Sequence, residues 1–153
     1  MLENLKNYLI NSTEIKVAEA HCDGPCGVYD PASIRIAAEA VVSMTKKILD
    51  LKRPEGDDKA YQNTMSRFIS VKEEQATVAK REILVLWTDY FKPNHLEQFP
   101  NLHDTFWKAA KLCSACKYEL SLQHCEELMA ACKEIHDMFW ASKNREVAYY
   151  TAS

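Results

Sequence analysis

Apolar residues recur at steps of three and four along four stretches of the chain. Ile34, Ala37, Ala38, Val41, Ile48 and Leu51 form the first stripe, behind Asp30 as a candidate N-cap and Pro31 as a candidate first helical residue. They predict a helix from about 31 to about 51. The polar run Arg53-Pro54-Glu55-Gly56-Asp57-Asp58 interrupts it, with Asp57 or Asp58 able to cap the next helix. Tyr61, Met65, Phe68, Val71, Val78, Ile83, Leu86 and Tyr90 then predict a long second helix, stopped by Pro93. Beyond an aromatic and polar connection to Pro100, Asn101 is placed to cap a third helix through Phe106, Ala109, Leu112, Cys113 and Cys116. Ser121 opens a fourth, striped by Leu122, Cys125, Leu128, Met129, Cys132, Ile135 and Phe139, and the polar tail from Ser142 is expected to fray. Four amphipathic helices on short connections predict an all-α chain folded as an antiparallel four-helix bundle.

Composition agrees with this picture and narrows the partners. A chain of 153 residues is long enough for one domain with a real core and short for two. Lys and Arg number 19 against 22 Asp and Glu, a net charge of -3, and no basic stripe stands out, so nucleic acid is not an expected partner. No stretch is apolar for long enough to cross a bilayer, which removes a membrane from the expected partners. Only three glycines occur, and two of them, Gly24 and Gly27, fall in one short segment.

That segment, His21-Cys22-Asp23-Gly24-Pro25-Cys26-Gly27, gathers an imidazole and two thiols within six positions. Gly24-Pro25 supplies a bend that can bring both sulfurs to one side, so the stretch reads as a metal site made almost entirely of one loop. The plainer alternatives for the two thiols are a disulfide or an adventitious Zn(II) site. A second cysteine pattern, Cys113 and Cys116 with Cys125 and Cys132 one helix later, invites a second metal or a redox pair. Spacings of three and seven, however, lie on the apolar stripes, where free Cys behaves as a small hydrophobe. Trp87, Phe91 and Trp140 are expected in the core or at subunit contacts, and His95, His103, His124 and His136 at surfaces or interfaces.

The string from His21 to Tyr29 closely resembles the hook of the nickel superoxide dismutase family. Val85-Leu86-Trp87-Thr88-Asp89-Tyr90-Phe91-Lys92-Pro93-Asn94-His95 is similar to that family's Trp, Asp-Tyr-Phe-Lys-Pro and His segment. Looser likeness through residues 99–103 and 138–140 extends it over most of 21–143. The resemblance implies a bundle with the hook, residues 21–29, protruding from its N-terminus. It implies that residues 1–20 are a leader cut after Ala20 by a processing peptidase, leaving 21–153 as the mature domain. One nickel ion per subunit would be held by the α-amine and imidazole of His21, the amide nitrogen and thiolate of Cys22, and the thiolate of Cys26. Square-planar nitrogen and sulfur donors suit Ni(II) or Cu(II), whereas Zn(II) prefers a tetrahedron.

The reaction so implied is dismutation of superoxide to molecular oxygen and hydrogen peroxide by a Ni(II)/Ni(III) cycle, in a homohexamer. By the same resemblance Tyr29 gates the small anion and donates a hydrogen bond to it, and Asp23 and Pro25 order the loop. Tyr90 and Lys92 pack near the hook, with Lys92 drawing in the anion. The chain departs from well-known members where Ala37 and Gln75 stand for a Glu and an Arg. Because both halves of that pair are missing together, a milder hydrogen bond from Gln75 and altered tuning are expected rather than loss of activity. In the leader, Leu2, Leu5, Leu9, Ile10 and Val17 are interrupted by Glu3, Lys6, Glu14 and Lys16, so a continuous export signal is lacking and a cytoplasmic location is expected. A non-catalytic nickel-binding protein and a thiol-redox protein using Cys113 and Cys116 are the rival readings.

Overall fold

The computed structural model describes residues 27–56 and 58–152, and all regular structure in them is helical. Helix α1 spans Ala32–Asp50, α2 Asp58–Val85, α3 His95–Gln98, α4 Leu102–Tyr118 and α5 Leu122–Ser142. The four long helices cover the predicted segments, and the stripes of α1, α4 and α5 are buried nearly as predicted, whereas α2 buries Lys72, Ala76, Ala79 and Ile83 and leaves most of its predicted stripe half-buried or exposed. The four helices form a closed ring in which α1 packs on α2, α2 on α4, α4 on α5 and α5 on α1. Short connections make sequential neighbours antiparallel. Ile34, Ala38, Val41, Ala76, Ile83, Phe106, Cys113, Leu128, Ile135 and Phe139 meet at its axis, each 1% exposed or less. All four cysteines of α4 and α5 are free and buried there, as small hydrophobes are expected to be.

Local details differ from the sequence expectation at several points. Asp30 does satisfy a free amide at the start of α1, its Oδ1 accepting from the Ala32 N–H at 2.8 Å. Asn101 is no cap: its Nδ2 donates instead to Glu134 Oε1 at 2.8 Å and to Thr105 Oγ1 at 3.4 Å. Ser121 caps α5 as expected, accepting from the His124 N–H at 3.2 Å. The connection after Pro93 folds into the short α3. The tail does not fray. His136 Nε2–H donates to the Val147 carbonyl at 2.8 Å, Arg35 lies 4.4 Å from the centre of the Tyr150 ring, and the Ala152 N–H reaches Glu39 Oε1 at 2.7 Å. His136 is therefore a buried strut between α5 and the tail rather than a surface residue.

A further difference lies on α2, where Val71 is 40% exposed and its neighbour Lys72 is buried at 2%. The aliphatic stem of Lys72 crosses the interface, and its ammonium donates to the carbonyls of Cys116, Lys117 and Glu119 at 2.6, 3.0 and 3.3 Å. These are carbonyls that the end of α4 leaves without helical partners, and a cation there also opposes the helix dipole. Lys72→Met keeps the stem and removes the donor, so it is expected to cost about 1–3 kcal/mol. A lower urea midpoint with an unchanged slope is the signature; an unshifted midpoint would mean that water replaces the ammonium without loss.

Candidate functional site

The described chain begins within the hook, just past Cys26, where Gly27 sits at φ +63°. That left-handed conformation suits glycine, and nothing crowds the position where a Cβ would be, so the backbone turn alone demands it. Val28 is exposed, and Tyr29 folds back onto the bundle end, held in place by Asp30 and the first turn of α1.

Tyr29 meets Tyr90 there, with ring centres 5.4 Å apart. Tyr90 closes a π-helical turn, Leu86–Tyr90, in which the Phe91 N–H donates to the Leu86 carbonyl at 3.1 Å, five residues back. The wider turn inserts an extra residue between α2 and Pro93 and re-aims the side chains of Trp87 to Tyr90; such turns often occur at functional sites. Helical periodicity gives no warning of it, because Tyr90 also fits the ordinary stripe. Trp87 uses its indole N–H on His103 Nδ1 at 2.8 Å and stacks on Phe106, and Phe91 is buried against Phe106, which makes both framework residues.

The Tyr90 ring is enclosed on several sides. Phe139 lies 4.6 Å from it and Phe91 4.9 Å, His95 stacks on it at 5.9 Å, and the Lys143 ammonium stands 5.2 Å from its centre. Its hydroxyl is 2.6 Å from Ser142 Oγ, and Ser142 spends its own proton on the Phe139 carbonyl at 2.7 Å. The Tyr90 O–H is therefore the donor of that pair, and the phenol is fixed by the end of α5. Tyr90→Phe is expected to cost about 1 kcal/mol in stability, the worth of one such bond. Thermal unfolding checks it, and an unchanged midpoint would show the bond to be idle.

Lys92 is exposed, and its ammonium donates to the Asp89 carbonyl at 2.7 Å, while its N–H donates to His95 Nδ1 at 2.9 Å. It therefore trims the end of the π turn while keeping its charge in solvent. Lys143, placed by sequence in a fraying tail, is the second cation beside Tyr90; no periodic signal singles it out. Next to Tyr29 is a cavity of about 210 Å³ bounded by Asp30, Ser33, Glu82, Val85 and Leu86, across which Ser33 Oγ donates to Glu82 Oε2 at 3.1 Å. Gln75 is half-buried on α2, three turns before the π turn, and Ala37 is buried in the core. His21, Cys22, Asp23, Pro25 and Cys26, with the leader 1–20, lie outside the described residues. Among the described residues, no group of three or more His, Cys, Asp or Glu side chains is placed to hold a metal ion, and no helix is long and apolar enough to cross a membrane.

Comparison with known proteins gives this bundle its relatives. The family described as nickel-containing superoxide dismutase matches residues 16–143. The superoxide dismutase [Ni] of Streptomyces seoulensis is 40% identical over 130 residues, 85% of this chain and 92% of that one. Its counterpart from Streptomyces coelicolor is 39% identical over 124 residues, 81% and 88% of the two chains. Among solved structures, native nickel superoxide dismutase at 1.30 Å superposes with a TM-score of 0.70 at 38% identity, over 81% of this chain and 99% of that one. A structure of the enzyme with its nickel ligation in the oxidised state gives 0.70 at 39% identity with the same coverage.

Proposed function

This chain belongs to the nickel-containing superoxide dismutase family, and from that membership we propose that it dismutes superoxide at a nickel ion held by His21, Cys22 and Cys26. Nickel is the family's metal, and the donor chemistry of the segment fits it. Two thiolates are anionic and polarisable, and an amine and a main-chain amide would complete a nitrogen and sulfur donor set that suits nickel. The His21 imidazole would be a further nitrogen donor. When bound, nickel supplies a one-electron couple between Ni(III) and Ni(II), with a reach that takes an electron from one superoxide and returns one to another.

The observation that carries this reading is the contact of Tyr29 with Tyr90. It joins the residue at the end of the hook to the second segment of family likeness, at one end of the bundle. Tyr29 would stand at the mouth of the site, excluding larger molecules and donating a hydrogen bond to the small anion. Lys92 and Lys143, on the same end, would offset the net negative charge for an anionic substrate approaching it. Asp23 and Pro25 would hold the loop shape, and Gln75 would take a weaker version of the part played elsewhere by a Glu and Arg pair. Thiolates in contact with peroxide need shelter from overoxidation, and main-chain N–H groups aimed at the sulfurs would provide it.

Cleavage after Ala20 by a processing peptidase would create the α-amine donor of His21, so the leader 1–20 would keep the site unassembled until it is removed. The mature subunits would form a homohexamer in the cytoplasm, one nickel in each. The direct test compares a chain beginning at His21 with the full-length chain, both exposed to nickel. The shortened chain is expected to retain one nickel per subunit and accelerate superoxide decay, and the uncut chain to do neither. Equal nickel content and equal rates in both would remove the α-amine from the ligand set.

A further inference from the structure

Four of the six cysteines take no part in the proposed metal site, and two of them meet at the opposite end of the bundle. Cys116 lies in the last turn of α4 and Cys125 in the first turn of α5, each 1% exposed. The two side chains lie within interaction distance of each other, and Cys125 Sγ is 3.5 Å from Thr45 Oγ1 of α1. Beside them is the Lys72 ammonium, whose hydrogen bonds all go to main-chain carbonyls, the shortest to Cys116 itself. No carboxylate among the described residues pairs with Lys72.

A buried cation faced only by neutral carbonyls favours an anion nearby, and Cys125 is a neighbouring group able to become one. The contact with Cys116 favours the ionised form of Cys125 and pulls its thiol down against the cost of burial, with Thr45, Lys72 and His124 acting in the same direction. The same contact, with burial, pushes Cys116 up, so that it keeps its proton. Cys113 and Cys132 are held protonated by burial, Cys113 being pushed up to about 12. Of the four buried sulfurs, Cys125 is the one pulled toward ionisation, and its neighbour Cys116 is a thiol. The turn that joins α4 to α5 is open to solvent, with Tyr118 87% and Leu120 48% exposed.

We infer that Cys116 and Cys125 form a peroxide-oxidisable dithiol whose disulfide ties α4 to α5. Hydrogen peroxide is a product of the reaction that the family catalyses, so the oxidant arises where the protein works. The Cys125 thiolate attacks one peroxide oxygen and the O–O bond breaks, giving a sulfenic acid and hydroxide. The Cys116 sulfur then attacks the Cys125 sulfur, the S–O bond breaks, and water leaves with the Cys116 proton. Two thiols lose two electrons, and one peroxide, with the proton that neutralises the hydroxide, becomes two waters.

The test treats the full chain with hydrogen peroxide, alkylates the remaining thiols and digests it with trypsin without reduction. Cleavage after Lys111, Lys117 and Lys133 separates residues 112–117 from residues 118–133. Mass spectrometry is expected to find these two peptides joined, with fragment ions placing the bridge between Cys116 and Cys125. The joined species should vanish in Cys116→Ser and Cys125→Ser and persist in Cys113→Ala. Absence of the joined species from the unsubstituted protein, or a bridge that uses Cys113 or Cys132, overturns the assignment without recourse to any variant. The ultraviolet absorbance of thiolate at neutral pH gives a second reading on unoxidised protein. It should drop in Cys125→Ser and hold in Cys113→Ala, and equal absorbance in both would also overturn it. Peroxide is added from outside, so a failure of the hook reading would leave these results untouched.

Discussion

Cys26→Ser in a chain beginning at His21 is expected to abolish nickel retention and to bring superoxide decay down to the uncatalysed rate, a loss well beyond about 100-fold. Groups that only touch metal ligands already cost about 10–100-fold when removed, and a donor to the ion itself should cost more. Serine is nearly isosteric, but its hydroxyl stays protonated at neutral pH and offers neither the charge nor the softness of a thiolate. The bundle should be indifferent to the change, because among the described residues the buried core of α1, α2, α4 and α5 starts at Ile34. Unchanged helical circular dichroism beside lost nickel is therefore the expected pair of readings. Full nickel content and full rate in Cys26→Ser would move the metal elsewhere.

The second large effect concerns Phe139→Ala. Phe139 is fully buried, lies 4.6 Å from the Tyr90 ring and 5.0 Å from Trp140, and supplies the carbonyl that holds Ser142. Removing its ring from a closed core is expected to cost about 3–5 kcal/mol in urea unfolding. It should also loosen Tyr90, and through it Tyr29, so activity per bound nickel is expected to fall along with stability. Phe139→Leu refills most of the space and should recover most of the stability but less of the activity, since a branched aliphatic side chain gives Tyr90 no flat face. A loss below about 1 kcal/mol in Phe139→Ala would mean that the neighbouring rings collapse into the gap.

The helices were legible because their cores are built from apolar stripes at helical spacing, and these survive in α1, α4 and α5 almost residue for residue. Legibility failed where a polar group takes an apolar position or where the backbone leaves the regular pattern. Lys72 was hidden because its charge marks it as surface, yet three carbonyls at the end of α4 make its burial favourable. The π turn was hidden because one added residue leaves Tyr90 on its stripe. The tail was hidden because its contacts, through His136, Arg35 and Glu39, are made by polar atoms and ring faces that hydrophobic periodicity does not weigh. At the site, the sequence named Tyr29 and Tyr90 in two distant segments, and the fold brings their rings together. It did not name Ser142 and Lys143, whose parts depend on where α5 ends.

Binding of the metal by two sulfur atoms of the hook is the central proposal. X-ray absorption at the nickel edge, on the chain beginning at His21 and loaded with one nickel per subunit, reports that directly. Two sulfur donors with nitrogen completing the set are expected, and one sulfur fewer or no bound nickel in Cys22→Ser. A spectrum made up of nitrogen and oxygen donors alone, from a preparation that still dismutes superoxide, would contradict it.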